Sequence, residues 1–328
     1  MYSIIVKILK ENYNLQMHLY EEIIMGRSNC YKIYTNEGCF FLKCLNLKFE
    51  YMLIQEVHYV NFLYQKGIEV YKIKKNKFNQ YYTIYGDKIY FVELFQSGKV
   101  FLRNECPQSI LLRAASTLGD IHKVSLAYND SYMVMDYDWM RQYEKKAKTL
   151  FLRILSGSTD AKMIKDLEYR VQLNEKISDW FNIFRSITYG MSHGDYYCEQ
   201  YCLRKGKLTI FDFTNCAKIP LGWEVINSYI ESAKECKSGE KININNLDAY
   251  YNSYIKQNSS VKKDLAIAHR LYLCWCVMNT KGYDTDLGSL SGQDVERRKR
   301  NTRLCKYIYD NLDIFDKYFN KYSEGQNG

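Results

Sequence analysis

The chain has 328 residues, of which 47% are hydrophobic, and a formal charge of +9. That length and apolar content exclude a disordered chain and leave room for more than one lobe. Lysines and arginines are spread along the sequence. The one dense run, Arg297-Arg298-Lys299-Arg300, has no nucleic-acid module beside it and reads as a solvated helix face.

Residues Met1 to Asn14 mix charged and apolar side chains and lack a secretory core. No stretch reaches the roughly 18 unbroken apolar residues of a membrane span. The 11 cysteines include no C-x-x-C pair, and most sit in apolar segments, as buried free thiols do in a reducing compartment. The expectation is a cytoplasmic protein without membrane or nucleic-acid partners.

Strands come first. His18 to Ile24 is short and mixed. Tyr31 to Thr35 and Cys39 to Leu45 flank the turn signal Asn36-Glu37-Gly38, and Gln80 to Tyr85 and Lys88 to Phe95 flank Gly86-Asp87. Between these hairpins, Leu53, Val57, Val60 and Leu63 recur at helical spacing and predict a helix over 50–65, closed by Gly67. Gln96-Ser97-Gly98 then reads as a linker. Ser109 to His122 predicts a helix, and 160–187 a long helical stretch broken at most once. Within 191–213 the pattern is loop, strand, turn, strand. Helices follow at about 223–236, 245–257, 261–279 and 303–321, with a polar loop over 282–293. The fold class is α+β: a β-rich N-terminal lobe, 1–95, and a mainly helical lobe, 96–328, with a ligand expected in a cleft between them.

Two segments carry chemistry. Ser192-His193-Gly194-Asp195 lies in a loop before a hairpin, and Ile210-Phe211-Asp212-Phe213 ends that hairpin's second strand. A hairpin returns the chain to where it began, so the two carboxylates are expected close together. Paired carboxylates suit one task well: one accepts a proton from an attacking hydroxyl, and the other holds Mg²⁺ on phosphate oxygens. Gln200, five residues past Asp195, offers a further oxygen. The competing reading is that Asp195 is a turn residue after glycine. In the first lobe, Lys43 sits in the apolar strand Phe40 to Leu45, and Glu56 falls on the buried arc of the following helix. A carboxylate there needs a cation, and the pair would aim the lysine at phosphates. The competing reading has Lys43 and Glu56 snorkelling to solvent.

These residues resemble the aminoglycoside phosphotransferase and choline kinase superfamily, a group that also takes in spore-coat kinase-like proteins. The likeness runs from about Tyr20 to about Tyr318. The signature H-G-D, four residues, then Asn is matched by His193-Gly194-Asp195 and Gln200. The signature I-D-[FWY] is matched by Phe211-Asp212-Phe213. Leu118 to His122 and Ile219 to Glu224 resemble two further segments. The resemblance implies a two-lobed protein-kinase-like fold that moves the γ-phosphate of ATP to the hydroxyl of a small molecule such as an amino sugar, a choline-like alcohol, homoserine or thioribose. It makes Asp195 the base and gives Mg²⁺ to Gln200 and Asp212. Lys43 would meet the ATP phosphates, oriented by Glu56. Glu93 to Phe95 would hold the adenine through backbone groups, and Met25 to Asn29, Ser28 included, would cover the phosphates. Trp223, Glu224 and Trp275 are candidates for the acceptor pocket. Two departures are Gln200 in place of asparagine and a phosphate loop with Gly26 alone. They favour the alternative of a non-catalytic nucleotide-binding or spore-coat-type structural protein.

Overall fold

In the strand Gly38–Asn46, side chains alternate between two faces. Phe40, Leu42 and Cys44 point into an apolar core, which places Phe41 and Lys43 on the opposite face. The same alternation in Lys88–Leu94 gives Tyr90 and Val92 to the core and leaves Phe91 and Glu93 on the side of Lys43. The computed structural model describes residues 2–25, 28–281, 283 and 292–323. It divides into two compact units, Met1–Val100 with Gln200–Cys216, and Phe101–Glu199 with Ala217–Gly328.

The first unit is built on an antiparallel sheet. Met17–Met25 pairs with Ser28–Thr35, which pairs with Gly38–Asn46, which pairs with Lys88–Leu94. The short strands Ile73–Lys74 and Thr83–Tyr85 both pair with Lys88–Leu94. The predicted helix forms as Glu50–Gln65 and buries Leu53, Val57, Val60 and Leu63. An additional helix, Tyr2–Tyr13, covers the sheet with Ile5, Ile8, Leu9 and Tyr13. The spacing of Ile5, Ile8 and Leu9 is that of a helical face, one not assigned from the sequence alone. The hairpin Tyr201–Arg204 and Lys207–Ile210 belongs to this unit and takes Lys99–Val100 as a third strand. Backbone hydrogen bonds between Ile210 and the Glu69–Tyr71 segment fix its position.

The second unit is helical, with one two-stranded ribbon that the sequence did not reveal: Tyr189–Ser192 antiparallel to Ala217–Pro220. Gln108–Ser125 forms as expected. The helix Tyr137–Gly157 was not anticipated, although Asp136 caps its first turn and Met140, Glu144, Ala147, Phe151 and Ile154 make a helical stripe. The stretch 160–187 breaks at Ile177, between the helix Ala161–Lys176 and the 3₁₀ turns Ser178–Arg185. Leu221–Ser232, Ile244–Ile255 and Ala268–Val277 follow. The final pair is Gly292–Asp310 and Leu312–Phe319, so the helix starts inside the expected polar loop, most of which lies outside the described residues.

The basic run is not a solvated face. Arg298 and Arg300 are buried in helix Gly292–Asp310. The Arg300 guanidinium donates to Glu231 at 2.8 Å and to the carbonyls of Ile230 and Cys236. Among the described residues, all 11 cysteines are free thiols and no helix is long and apolar enough to cross a membrane.

Candidate active site

In the first unit the face of the sheet opposite the core opens on a cavity of about 370 Å³. Ile23, Leu94 and Val100 supply apolar wall, and Lys43, Glu93 and Asp212 supply charge. Lys43 is the hub. Its ammonium donates to Glu56 Oε1 at 2.8 Å, Asp212 Oδ1 at 3.0 Å and Thr214 Oγ1 at 3.2 Å. Burial pulls the ammonium's pKa down, but Asp212 and Glu56 beside it outweigh burial and hold it well above the ordinary lysine range. Glu56 is 0% exposed, so it is buried only because Lys43 and the Tyr71 hydroxyl, 2.6 Å away, satisfy it. The reading in which Lys43 and Glu56 reach solvent is thereby excluded.

Asp212 lies beyond the strand rather than on it. The strand ends at Ile210, and Asp212 turns the chain at φ +61° into the short turn Phe213–Asn215. A left-handed aspartate is tolerated because its short side chain bonds locally, here through Thr214, whose hydroxyl donates to Asp212 Oδ1 at 2.8 Å. The flanking Phe213 ring packs edge-on against Tyr59 and near Tyr71. Sequence reading missed Tyr71 and Thr214, because nothing local marks a tyrosine or threonine as a partner of a buried ion pair.

Gln200 also belongs to this unit. Its carbonyl accepts the Phe211 N–H at 3.0 Å, next door to Asp212. Its side-chain Oε1 is buried and has no hydrogen-bond partner among the described residues. A buried acceptor left unmatched is costly unless a cation or water meets it. One carboxylate, one amide oxygen and a phosphate ligand form a hard oxygen set of the kind Mg²⁺ takes. No group of three or more His, Cys, Asp or Glu able to hold a metal occurs among the described residues. Asp212 and the unmatched Gln200 oxygen are the groups here that fit a hard cation.

Of the backbone groups at 93–95 expected to meet the adenine, the Phe95 N–H donates to the Cys39 carbonyl and the Leu94 N–H to the Lys72 carbonyl, so these two donors are taken. Gln96 and Ser97, which also line the cavity, extend past the sheet ladder. The Glu93 side chain does face the cavity, with Oε2 buried and unmatched among the described residues. Burial, with Glu56 and Asp212 nearby, pushes its carboxyl up to about 8 against the pull of Lys43. Gly26, Arg27 and the Ser28 side chain lie outside the described residues; Met25 and Ser28 pair as the end of their hairpin.

In the second unit Asp195 is half-buried and lines a cavity of about 120 Å³. The loop that carries it is pinned on both sides. Gly194, at φ +80°, donates its N–H to Glu224 Oε1 at 2.6 Å. The Tyr196 hydroxyl donates to the Ala114 carbonyl at 3.0 Å, and the Cys198 N–H to Ser232 Oγ at 3.0 Å. Glu224 is fully buried; its other oxygen takes the Ser192 hydroxyl and lies 2.9 Å from His122 Nε2. His122 Nδ1 is 2.8 Å from the Tyr254 hydroxyl. Glu224 is thus a brace for the Asp195 loop, not an acceptor contact. Trp223 and Trp275 do line the cavity, with ring centroids 4.8 Å apart.

No protein-family profile and no curated protein matches the sequence. Solved structures do. An amicoumacin kinase in complex with AMP-PNP and Ca²⁺ superposes with a TM-score of 0.68 at 15% identity, over 94% of this chain and 93% of that one. A choline kinase from Cryptosporidium parvum Iowa II gives 0.61 at 14% identity, over 98% and 99%. A spectinomycin phosphotransferase in complex with ADP and spectinomycin gives 0.58 at 14% identity, over 99% and 95%. At these identities the likeness is one of fold: the chain has the α+β, kinase-like fold of the aminoglycoside phosphotransferases and choline kinases.

Proposed function

We propose that this protein is a small-molecule kinase that transfers the γ-phosphate of ATP to an alcohol. The observation that carries the reading is the Lys43 ammonium, held by Glu56 and Asp212 at the wall of a cavity whose lining also has a large apolar part. Such a cavity suits a flat base at its apolar part and phosphates at its charged part. Fold likeness to kinases supports the reading.

Each group has a role that follows from its setting. Lys43 neutralises phosphate oxygens, and Glu56 and Tyr71 keep its ammonium from swinging away. Asp212 and Gln200 would hold Mg²⁺, which when bound offsets charge on the phosphate oxygens. Asp195 accepts the proton of the acceptor hydroxyl, and its pinned loop fixes the carboxylate before the acceptor arrives. Gln96 and Ser97, rather than the Phe95 amide, supply polar contacts to the base.

The test compares two variants in Mg·ATP calorimetry and acceptor-stimulated ATP consumption. Asp195→Asn removes turnover and keeps nucleotide affinity. Asp212→Ala weakens both. Wild-type protein that binds Mg·ATP but turns over no alcohol would establish the non-catalytic alternative; activity of Asp195→Asn within a few-fold of wild type would remove Asp195 as base.

A further inference from the structure

The cavity around Asp195 has a one-sided polarity. Two of its lining side chains carry buried N–H groups with no hydrogen-bond partner among the described residues: Trp223 Nε1 and Arg103 Nε. Trp223 is only 5% exposed, so water does not readily satisfy that donor. Both orphans are donors. The half-buried acid in the lining, Glu231, is already matched, with Arg300 at 2.8 Å and Arg103 at 3.2 Å on its two oxygens. Two further cations, Lys281 and Arg297, line the cavity and form no ion pair among the described residues. With Glu231 matched, cations outnumber carboxylates among the described residues that line the cavity.

The aromatic residues do not offset this. Trp275 stacks on Tyr143 at 5.3 Å and lies against Trp223 at 4.8 Å, so these faces are largely spent on one another. A cage for a quaternary ammonium needs open faces and no resident cations. Lys281, Arg297 and Arg103 would repel a choline-like or polycationic acceptor at short range.

Resting on the kinase reading above, we propose that the acceptor is an anionic alcohol: a small molecule carrying its hydroxyl beside a carboxylate or phosphate. The anionic group is received by Lys281 and Arg297 and hydrogen-bonded by the orphan donors of Trp223 and Arg103. The hydroxyl is left for Asp195. Among the acceptors that the sequence resemblance suggests, this assignment disfavours the amino-sugar and choline-like ones.

The experiment measures binding directly, so it does not depend on turnover. The full chain is titrated calorimetrically with glycerate, glycerol phosphate, choline and an amino sugar. An anionic probe binds at least about 10-fold more tightly than choline or the amino sugar, and whichever of glycerate and glycerol phosphate is tighter identifies the anion. Arg297→Gln and Lys281→Gln each weaken that probe by about 10-fold, the scale of one charged hydrogen bond, and do not weaken choline, whose repulsion they relieve. Both residues sit at the cavity's accessible edge, and thermal melts confirm that the variants fold. Choline or amino-sugar binding as tight as the anionic probes, or anion affinity unchanged in both variants, overturns the proposal. Mg·ATP titrated on the same preparation tests the parent reading separately: loss of nucleotide binding with the anion preference intact strikes the kinase assignment alone.

Discussion

Glu224 Oε1 accepts the N–H of Gly194 at 2.6 Å, one residue before the proposed base Asp195. The same carboxylate serves Ser192 and His122, so one buried acid holds the start of the H-G-D loop. Glu224→Ala leaves several buried donors unmatched and should destabilise the protein by about 3 kcal/mol or more. Glu224→Gln keeps the shape and one acceptor. It should retain the fold and Mg·ATP affinity while lowering kcat roughly 10- to 100-fold, because the base is displaced rather than removed. Equal losses of nucleotide affinity and kcat in Glu224→Gln would show a general folding defect instead.

Lys43 and Glu56 should behave as one unit. Lys43→Met strands a fully buried carboxylate with Tyr71 as its remaining strong partner, and should raise KM for ATP while lowering kcat. Glu56→Gln should give a milder form of the same defect, since Asp212 still holds the ammonium at 3.0 Å. In the double mutant the losses should fall short of the sum by about 1 kcal/mol or more. A double-mutant cycle on kcat/KM reads this, and additive losses would separate the two residues.

Gln200 tests the metal assignment. Gln200→Ala removes the unmatched Oε1 and should raise the Mg²⁺ requirement and cost about 10-fold in turnover, the scale for disturbing a metal's supporting groups. Gln200→Asn keeps an amide oxygen one methylene shorter and should fall between Ala and wild type. Superimposable Mg²⁺ titrations of the three proteins would take Gln200 out of the site.

Glu93 gives the stability a pH dependence. Its carboxyl titrates near 8 in the folded chain against an ordinary value of 4.5, so the folded state holds the proton more tightly than the unfolded one. The stability this contributes is fully present below about pH 4.5 and is lost as pH rises through about 8. Glu93→Gln cannot lose that proton. Thermal melts from pH 5 to 9 should show the variant gaining on wild type as pH rises; a constant difference would mean that Glu93 is ionised throughout.

How much of this was legible depended on the range of the signal. The helix Glu50–Gln65 and the hairpins of the first unit follow from local patterns, side-chain alternation in strands and 3.6-residue recurrence in helices. The Lys43–Glu56 pair was legible for the same reason: a cation in an apolar strand and an acid on a buried helical stripe each demand a partner. The stripe of the helix Tyr137–Gly157 is equally local, but lysines dilute its apolar pattern. The ribbon Tyr189–Ser192 with Ala217–Pro220 was not local at all, since its strands are four residues each and separated by another hairpin.

By itself, the sequence determined a strand-rich region followed by a helical one, because these rest on periodicity; the kinase-like fold was implied by the resemblance of its short motifs to a known family. Only the tertiary structure decided which neighbours those residues acquire. Glu224 became a brace rather than a ligand contact because burial left it facing the Gly194 amide. Thr214 and Tyr71 joined the ion pair because the hairpin Tyr201–Arg204 and Lys207–Ile210 docks against Glu69–Tyr71. The basic run split into a buried Arg300 on Glu231 and an Arg297 at a cavity wall, because a helix turns successive side chains by about 100° and the surrounding elements set which direction is core. Charge in a sequence is a count; its balance at a site depends on which acids the fold has already matched.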